Sequence, residues 1–200
     1  MTNLDEHPAP RILIIAGSDS GGGAGIQADI KTCAAFGAYS ATAITAVTAQ
    51  NTTGVQAVEF MPAELVRTQI KSVMSDIGAD IIKIGMLGTQ DIIEVVAEEI
   101  SDTDAFVILD PVMVATSGDR LLDNGAVEAL TTKLIPVCDL ITPNVPEAVA
   151  LTGIEIDDTD DMTKAGEALI EMGAYAALMK GGHLDSKICL LYTSPSPRDA

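Results

Sequence analysis

Six short apolar runs, at residues 11–16, 40–47, 80–84, 105–109, 140–142 and 175–179, recur along this chain. Between most of them lie stretches whose apolar residues return every three or four positions: 26–36, 63–77 closing at Gly78, 91–100, 125–135, and 163–172 closing at Gly173. The first pattern suits strands buried on both faces, and the second suits helices with one apolar stripe. Their alternation predicts an α/β fold, a mostly parallel central sheet with helices on both faces. Residues 55–60 read as a further short strand, a candidate part of a substrate lid. With 200 residues, 48% of them hydrophobic, one substantial core can be buried and a single domain is expected.

The first run leads into Gly17-Ser-Asp-Ser-Gly-Gly-Gly-Ala-Gly-Ile-Gln-Ala-Asp29, a glycine-dense turn between strand and helix. Glycine has no Cβ and tolerates positive φ, so main-chain atoms of such a turn can approach a ligand closely. Its place after a buried strand is where open α/β sheets bind ligands. A P-loop is excluded, because no Lys follows any of these glycines. A dinucleotide fingerprint is closer, since Gly23, Gly25 and Ala28 fit G-x-G-x-x-A, but the acid expected about 20 residues further on is missing. A purely structural turn and helix start remains the alternative.

Twenty-nine acids against eleven bases give a formal charge of −18, which repels nucleic acid and anionic membrane surfaces. Neither partner is expected. No apolar run is long enough for a membrane span, and no basic stretch precedes an apolar one at the start, so a cytoplasmic location is expected. Cys33, Cys138 and Cys189 are odd in number and widely spaced, which suits reduced thiols. An acidic protein that handles a nucleotide must build local positive potential from backbone N–H groups, a metal and a few Lys residues.

Seven blocks in order extend the glycine turn into a resemblance: Gly17 through Lys31, Thr45-Ala-Val-Thr-Ala-Gln-Asn51-Thr-Thr-Gly54-Val, Lys83-Ile-Gly-Met-Leu87, Leu109-Asp-Pro-Val112, Ser117-Gly-Asp119, Ile141-Thr-Pro-Asn-Val-Pro-Glu147 and Met179-Lys-Gly-Gly-His-Leu184. Together they resemble the hydroxymethylpyrimidine/phosphomethylpyrimidine kinase family. The resemblance implies a ribokinase-like fold and ATP- and Mg²⁺-dependent phosphorylation of a small pyrimidine and its monophosphate in thiamine biosynthesis, with a homodimer left open. It assigns Gly17, Asp29, Gln50, Met86 and Val112 to the pyrimidine. A carboxylate can accept from the amino group of an aminopyrimidine while an amide serves the ring nitrogen, and Met86 and Val112 would contact the ring. Asn144, Glu147 and Lys180 are assigned to the nucleotide, and Asp110 and Glu147 to the metal. Taken alone, Asp110 would read as a turn residue before Pro111, Asn144 and Glu147 as a helix cap and first-turn acid, and Lys180 as a solvated base. Lys83, inside an apolar run, must snorkel or find an acid and receives no catalytic role. His183 reads as a loop residue.

Residues 1–10 read as a frayed arm and 11–187 as the kinase domain. After Lys187 the chain passes through Ile-Cys-Leu-Leu-Tyr-Thr to Ser-Pro-Ser-Pro, which cannot continue a helix or a central strand. The family's Gly-Thr-Gly-Cys turn, source of its anion hole and a catalytic residue, does not occur in these 200 residues. Residues 188–200 are therefore expected to be a non-native tail on a C-terminally truncated domain, and activity of the chain as given stays open. The competing readings are a pyridoxal or pyridoxine kinase, a non-catalytic pyrimidine-binding fragment and, third, a dinucleotide-binding oxidoreductase.

Overall fold

The computed structural model describes residues 9–113, 124–181 and 190–193. Its strands are β1 (Arg11–Ala16), β2 (Tyr39–Ile44), β3 (Ala46–Asn51), β4 (Gly54–Phe60), β5 (Ile81–Ile84), β6 (Phe106–Leu109), β7 (Leu140–Ile141), β8 (Ala176–Lys180) and β9 (Leu190–Thr193). Its helices are α1 (Gly25–Ala35), α2 (Ala63–Asp76), α3 (Gln90–Ile100), α4 (Asn124–Ala129), α5 (Val145–Thr152) and α6 (Thr159–Glu171). The N-terminal arm up to residue 8, the Ser117–Asp119 block and His183 lie outside the described residues.

Seven strands form the main sheet in the order β2-β1-β5-β6-β7-β8-β9. The first six in that order are mutually parallel, and β9 pairs antiparallel with β8. Alternate side chains of β1 go to opposite faces, as the period of two demands. Leu13 and Ile15 join Ile82, Ile84, Val107, Leu109 and Ile141 in a core that includes residues of α2, α3, α5 and α6. Ile14 and Ala16 pack on the other face against Ile26 and Cys33 of α1. Helices on both faces account for the unbroken apolar character of residues 13–16 of β1, where neither face meets water.

Three expectations change in detail. The run at 40–47 breaks at Thr45, a fully buried residue whose N–H donates to the Ala16 carbonyl at 3.1 Å and whose hydroxyl donates to the Met86 carbonyl at 2.6 Å. Beyond it β3 leaves the main sheet and pairs only with β4 in an antiparallel hairpin. The pattern at 125–135 starts as α4, widens into a π turn over Leu130–Leu134 and ends in a single 3₁₀ turn, Ile135–Val137. Pro136 has no N–H to donate and its ring opposes a regular helix there. α6 begins ahead of 163–172, because the Asp158 carboxylate accepts from the N–H groups of Asp160 and Asp161 at 2.9 and 3.0 Å.

Residues 190–193, Leu-Leu-Tyr-Thr, fall inside the expected tail yet add an edge strand opposite Ala177–Lys180. Such a run of apolar and aromatic residues suits a pleated surface, and the Pro residues follow only after the pairing ends.

Candidate active site

The sheet order places a topological switch point between β1 and β5, since the chain moves from β1 outward to β2 and later returns to β5 on the other side. Crevices open at the carboxyl ends of strands at such a point. Here a cavity of about 290 Å³ occupies it, lined by the turn after β1, the start of α1, the hairpin and the ends of β5 and β6.

Asp19 builds the wall formed by the glycine turn. Its Oδ1 accepts from Gly21 N–H at 2.7 Å, and its Oδ2 from Gly23 and Ala24 at 2.9 and 2.8 Å. Burial by itself pushes this carboxyl upward, but the N–H groups of Gly21, Ala24, Gly23 and Gly22 outweigh it and hold the pKa below the ordinary value. Asp19 was not among the residues singled out from the sequence, where Gly-Ser-Asp-Ser-Gly looked like turn composition; an acid two residues before a glycine run was the available signal. Gly25, at φ +56°, is required by both backbone and space, because a Cβ there would collide with the Gly17 carbonyl.

All five residues assigned to the pyrimidine, Gly17, Asp29, Gln50, Met86 and Val112, line this cavity. A Cβ at Gly17 would meet the Met86 terminal methyl, so any larger residue there would have to displace the Met86 side chain. Thr45 fixes Met86 from behind through its carbonyl. Gln50 sits in the hairpin at a register shift against β4. Ser20 clamps its main chain, the hydroxyl donating to the Gln50 carbonyl at 2.7 Å and accepting from its N–H at 2.7 Å. The Thr48 hydroxyl lies 2.8 Å from the Ser18 carbonyl and 3.3 Å from Gln50 Oε1. Its single proton favours the shorter contact, which leaves the Gln50 amide available to the cavity. Asp29 is not a solitary acceptor: Lys83, which received no role from sequence, donates to its Oδ2 at 2.7 Å and lines the same cavity.

Asp110, directly after β6, lines the cavity and links it to a second cluster. Lys180, the last residue of β8, donates to Asp110 Oδ1 at 2.8 Å and stands 3.9 Å from Glu147 Oε2. Asn144 and Glu147 form a reciprocal cap on α5, the Asn144 side chain accepting from Glu147 N–H and the Glu147 carboxylate from Asn144 N–H, both at 2.8 Å. Glu147 is buried, and burial is the main cause pushing its pKa up, aided by Asp110; the Asn144 N–H and the Lys180 charge oppose it. The cap reading of these two residues therefore holds as geometry, with the carboxylate also facing Lys180. Among the described residues no three His, Cys, Asp or Glu side chains converge on a metal position. Two carboxylates beside a Lys instead suit a Mg²⁺ that keeps most of its waters and shares the phosphates of a nucleotide.

The family model described as phosphomethylpyrimidine kinase matches residues 19–196. A hydroxymethylpyrimidine/phosphomethylpyrimidine kinase of Streptomyces coelicolor is 47% identical over 187 residues, covering 94% of this chain and 70% of its own. The crystal structure of a phosphomethylpyrimidine kinase from Clostridium difficile superposes with a TM-score of 0.87 at 44% identity, covering 94% of this chain and 81% of that one. A Staphylococcus aureus pyridoxal kinase in complex with pyridoxal follows at 0.85 and 34%, covering 94% and 70%. The chain spans 65–70% of the length of curated single kinases and 34% of a thiamine biosynthetic bifunctional enzyme. With a family model matched along most of its length, a relative sharing nearly half its residues and the fold in common, this chain belongs to the phosphomethylpyrimidine kinase family.

Proposed function

We propose that the protein is an ATP-dependent kinase whose acceptors are 4-amino-5-hydroxymethyl-2-methylpyrimidine and its monophosphate. One observation carries this reading: the residues assigned to the pyrimidine line one cavity together with Asp110, which is ion-paired to Lys180 beside Glu147. A ring held between Met86, Val112 and Gln50 would present its hydroxymethyl group toward Asp110. Lys180 and the Asn144–Glu147 cap would receive the phosphates, with Mg²⁺ carried by Asp110 and Glu147 and neutralising phosphate charge when bound. The protein's own contribution is position and field: Lys180 supplies positive charge beside Asp110 and Glu147 in a chain of net −18. S. aureus pyridoxal kinase has been solved with ADP and with AMP-PCP, which supports nucleotide binding on this fold.

The likeness to pyridoxal kinases favours a second reading, phosphorylation of pyridoxal, at lower identity than the pyrimidine kinases. Phosphate transfer from ATP to the hydroxymethylpyrimidine and to pyridoxal, followed side by side, separates them. Faster transfer to the pyrimidine is expected, with Gln50→Ala raising its KM by about 10–100-fold, as loss of a buried polar partner would. Preference for pyridoxal would replace the first reading with the second.

A further inference from the structure

Resting on the proposed pyrimidine site, we propose that Lys83 is a specificity residue that reads the aminopyrimidine edge together with Asp29 as one acceptor–donor pair. Lys83 stands in β5, Ile81-Ile-Lys-Ile84, flanked in register by Ile14 of β1 and Ile108 of β6. A cation in a central strand is costly to desolvate, and an ion pair so placed is weak evidence for stability compared with an apolar residue of similar size. The surroundings nevertheless make room for it. Gly85 is the next residue on the same face of the chain, and a Cβ there would come within 3.2 Å of Lys83 Nζ and 3.1 Å of the Ala16 methyl. Both partners keep about a quarter of their side-chain surface open, and both line the cavity, where among the described residues Lys83 is the one basic side chain in the lining.

The chemistry of the pair follows from what the ion pair leaves over. Lys83 uses one N–H on Asp29 Oδ2, and among the described residues neither side chain makes another hydrogen bond. Asp29 Oδ1 is left to accept, and the ammonium has two further protons to donate. The pair thus offers an acceptor beside a donor. An aminopyrimidine offers the complement, an exocyclic N–H beside a ring nitrogen lone pair. A pyridine ring without an amino group next to its nitrogen cannot satisfy both. Asp29 is therefore the acceptor of the pair, and the donor it needs comes from Lys83 rather than from Gln50. Gln50, on the hairpin across the cavity, is left to the remaining polar atoms of the ligand.

Calorimetry on wild type, Lys83→Met and Asp29→Ala, with 4-amino-5-hydroxymethyl-2-methylpyrimidine and with the same ring lacking the 4-amino group, tests the proposal. Wild type should bind the amino compound more tightly than its analogue. Lys83→Met should weaken the amino compound by about 10–100-fold and the analogue by much less, so that the preference collapses, as expected for a hydrogen bond involving a charged group. Asp29→Ala, which removes the acceptor outright, should give the same collapse and serves if Lys83→Met does not fold, as judged by its melt. A preference as large in either folded variant as in wild type overturns the inference and leaves the kinase reading standing. Wild type that binds neither pyrimidine overturns both.

Discussion

Glu147 shows how one side chain can serve the fold and the site together. Its carboxylate closes the cap on α5 and also faces Lys180, and burial raises its pKa above the ordinary 4.5. A raised folded-state value means that the folded protein holds this proton more tightly than the unfolded chain does. The stabilisation is then fully present below about 4.5 and is lost as the pH rises through the raised value. Glu147→Gln keeps the cap, because Gln at this position can accept the same N–H, and removes the charge. The melting temperature of the variant relative to wild type should therefore climb between about pH 4 and about pH 7. Melts across that range check it, and a constant difference would mean that the carboxyl titrates as it does in water. The sequence suggested both roles for this residue; their coexistence needed the Lys180 side chain in place.

At the scale of elements, the hairpin of β3 and β4 decides how the cavity is covered. It is separate from the main sheet, with Ala46 buried and Phe60 packed on the core at its base, and polar contacts join it to the glycine turn, beginning with Ser18 N–H to the Ala46 carbonyl at 2.8 Å. Ser20 supplies two more to the Gln50 main chain and Thr48 another to Ser18. Ser20→Ala should loosen the hairpin by about 1–2 kcal/mol locally, the worth of its hydrogen bonds, with little change in the global melt. Hydrogen exchange reads this directly: the Gln50 amide should exchange at least several-fold faster, and pyrimidine affinity should fall with it. Unchanged exchange would show that strand pairing alone holds the hairpin. From sequence, residues 40–47 look like one strand because β-branched Thr, Ile and Val recur along them with no turn residue between. Only the three-way tie of Thr45 to Ala16, Met86 and Met61 turns that strand into two.

For the molecule as a whole, a net charge of −18 on 200 residues opposes the compact state through self-repulsion. Raising ionic strength from about 0.01 M to about 0.5 M shortens the screening length severalfold and should raise the melting temperature by about 2–4 °C, the shift that about 1 kcal/mol produces at this size. A melt that is flat or falls with salt would show that local pairs such as Arg11 with Asp80 and Arg67 with Glu98 dominate instead. No helix among the described residues is long and apolar enough to cross a membrane. The alternation of apolar runs with amphipathic stretches determined the layers, because a strand covered on both faces must be apolar throughout while a helix needs only a stripe. It placed β1 to the residue and marked the glycine turn, and the ordered blocks carried the family and every residue that now lines the cavity from Gly17 to Val112. What periodicity could not hold was partnership. Lys83 with Asp29 is 54 positions apart and Lys180 with Asp110 is 70, and nothing local in either strand says which acid its Lys will meet. Those pairings, like the breaking of β2 from β3, depend on which strand ends the sheet brings side by side, and that order is set by tertiary packing.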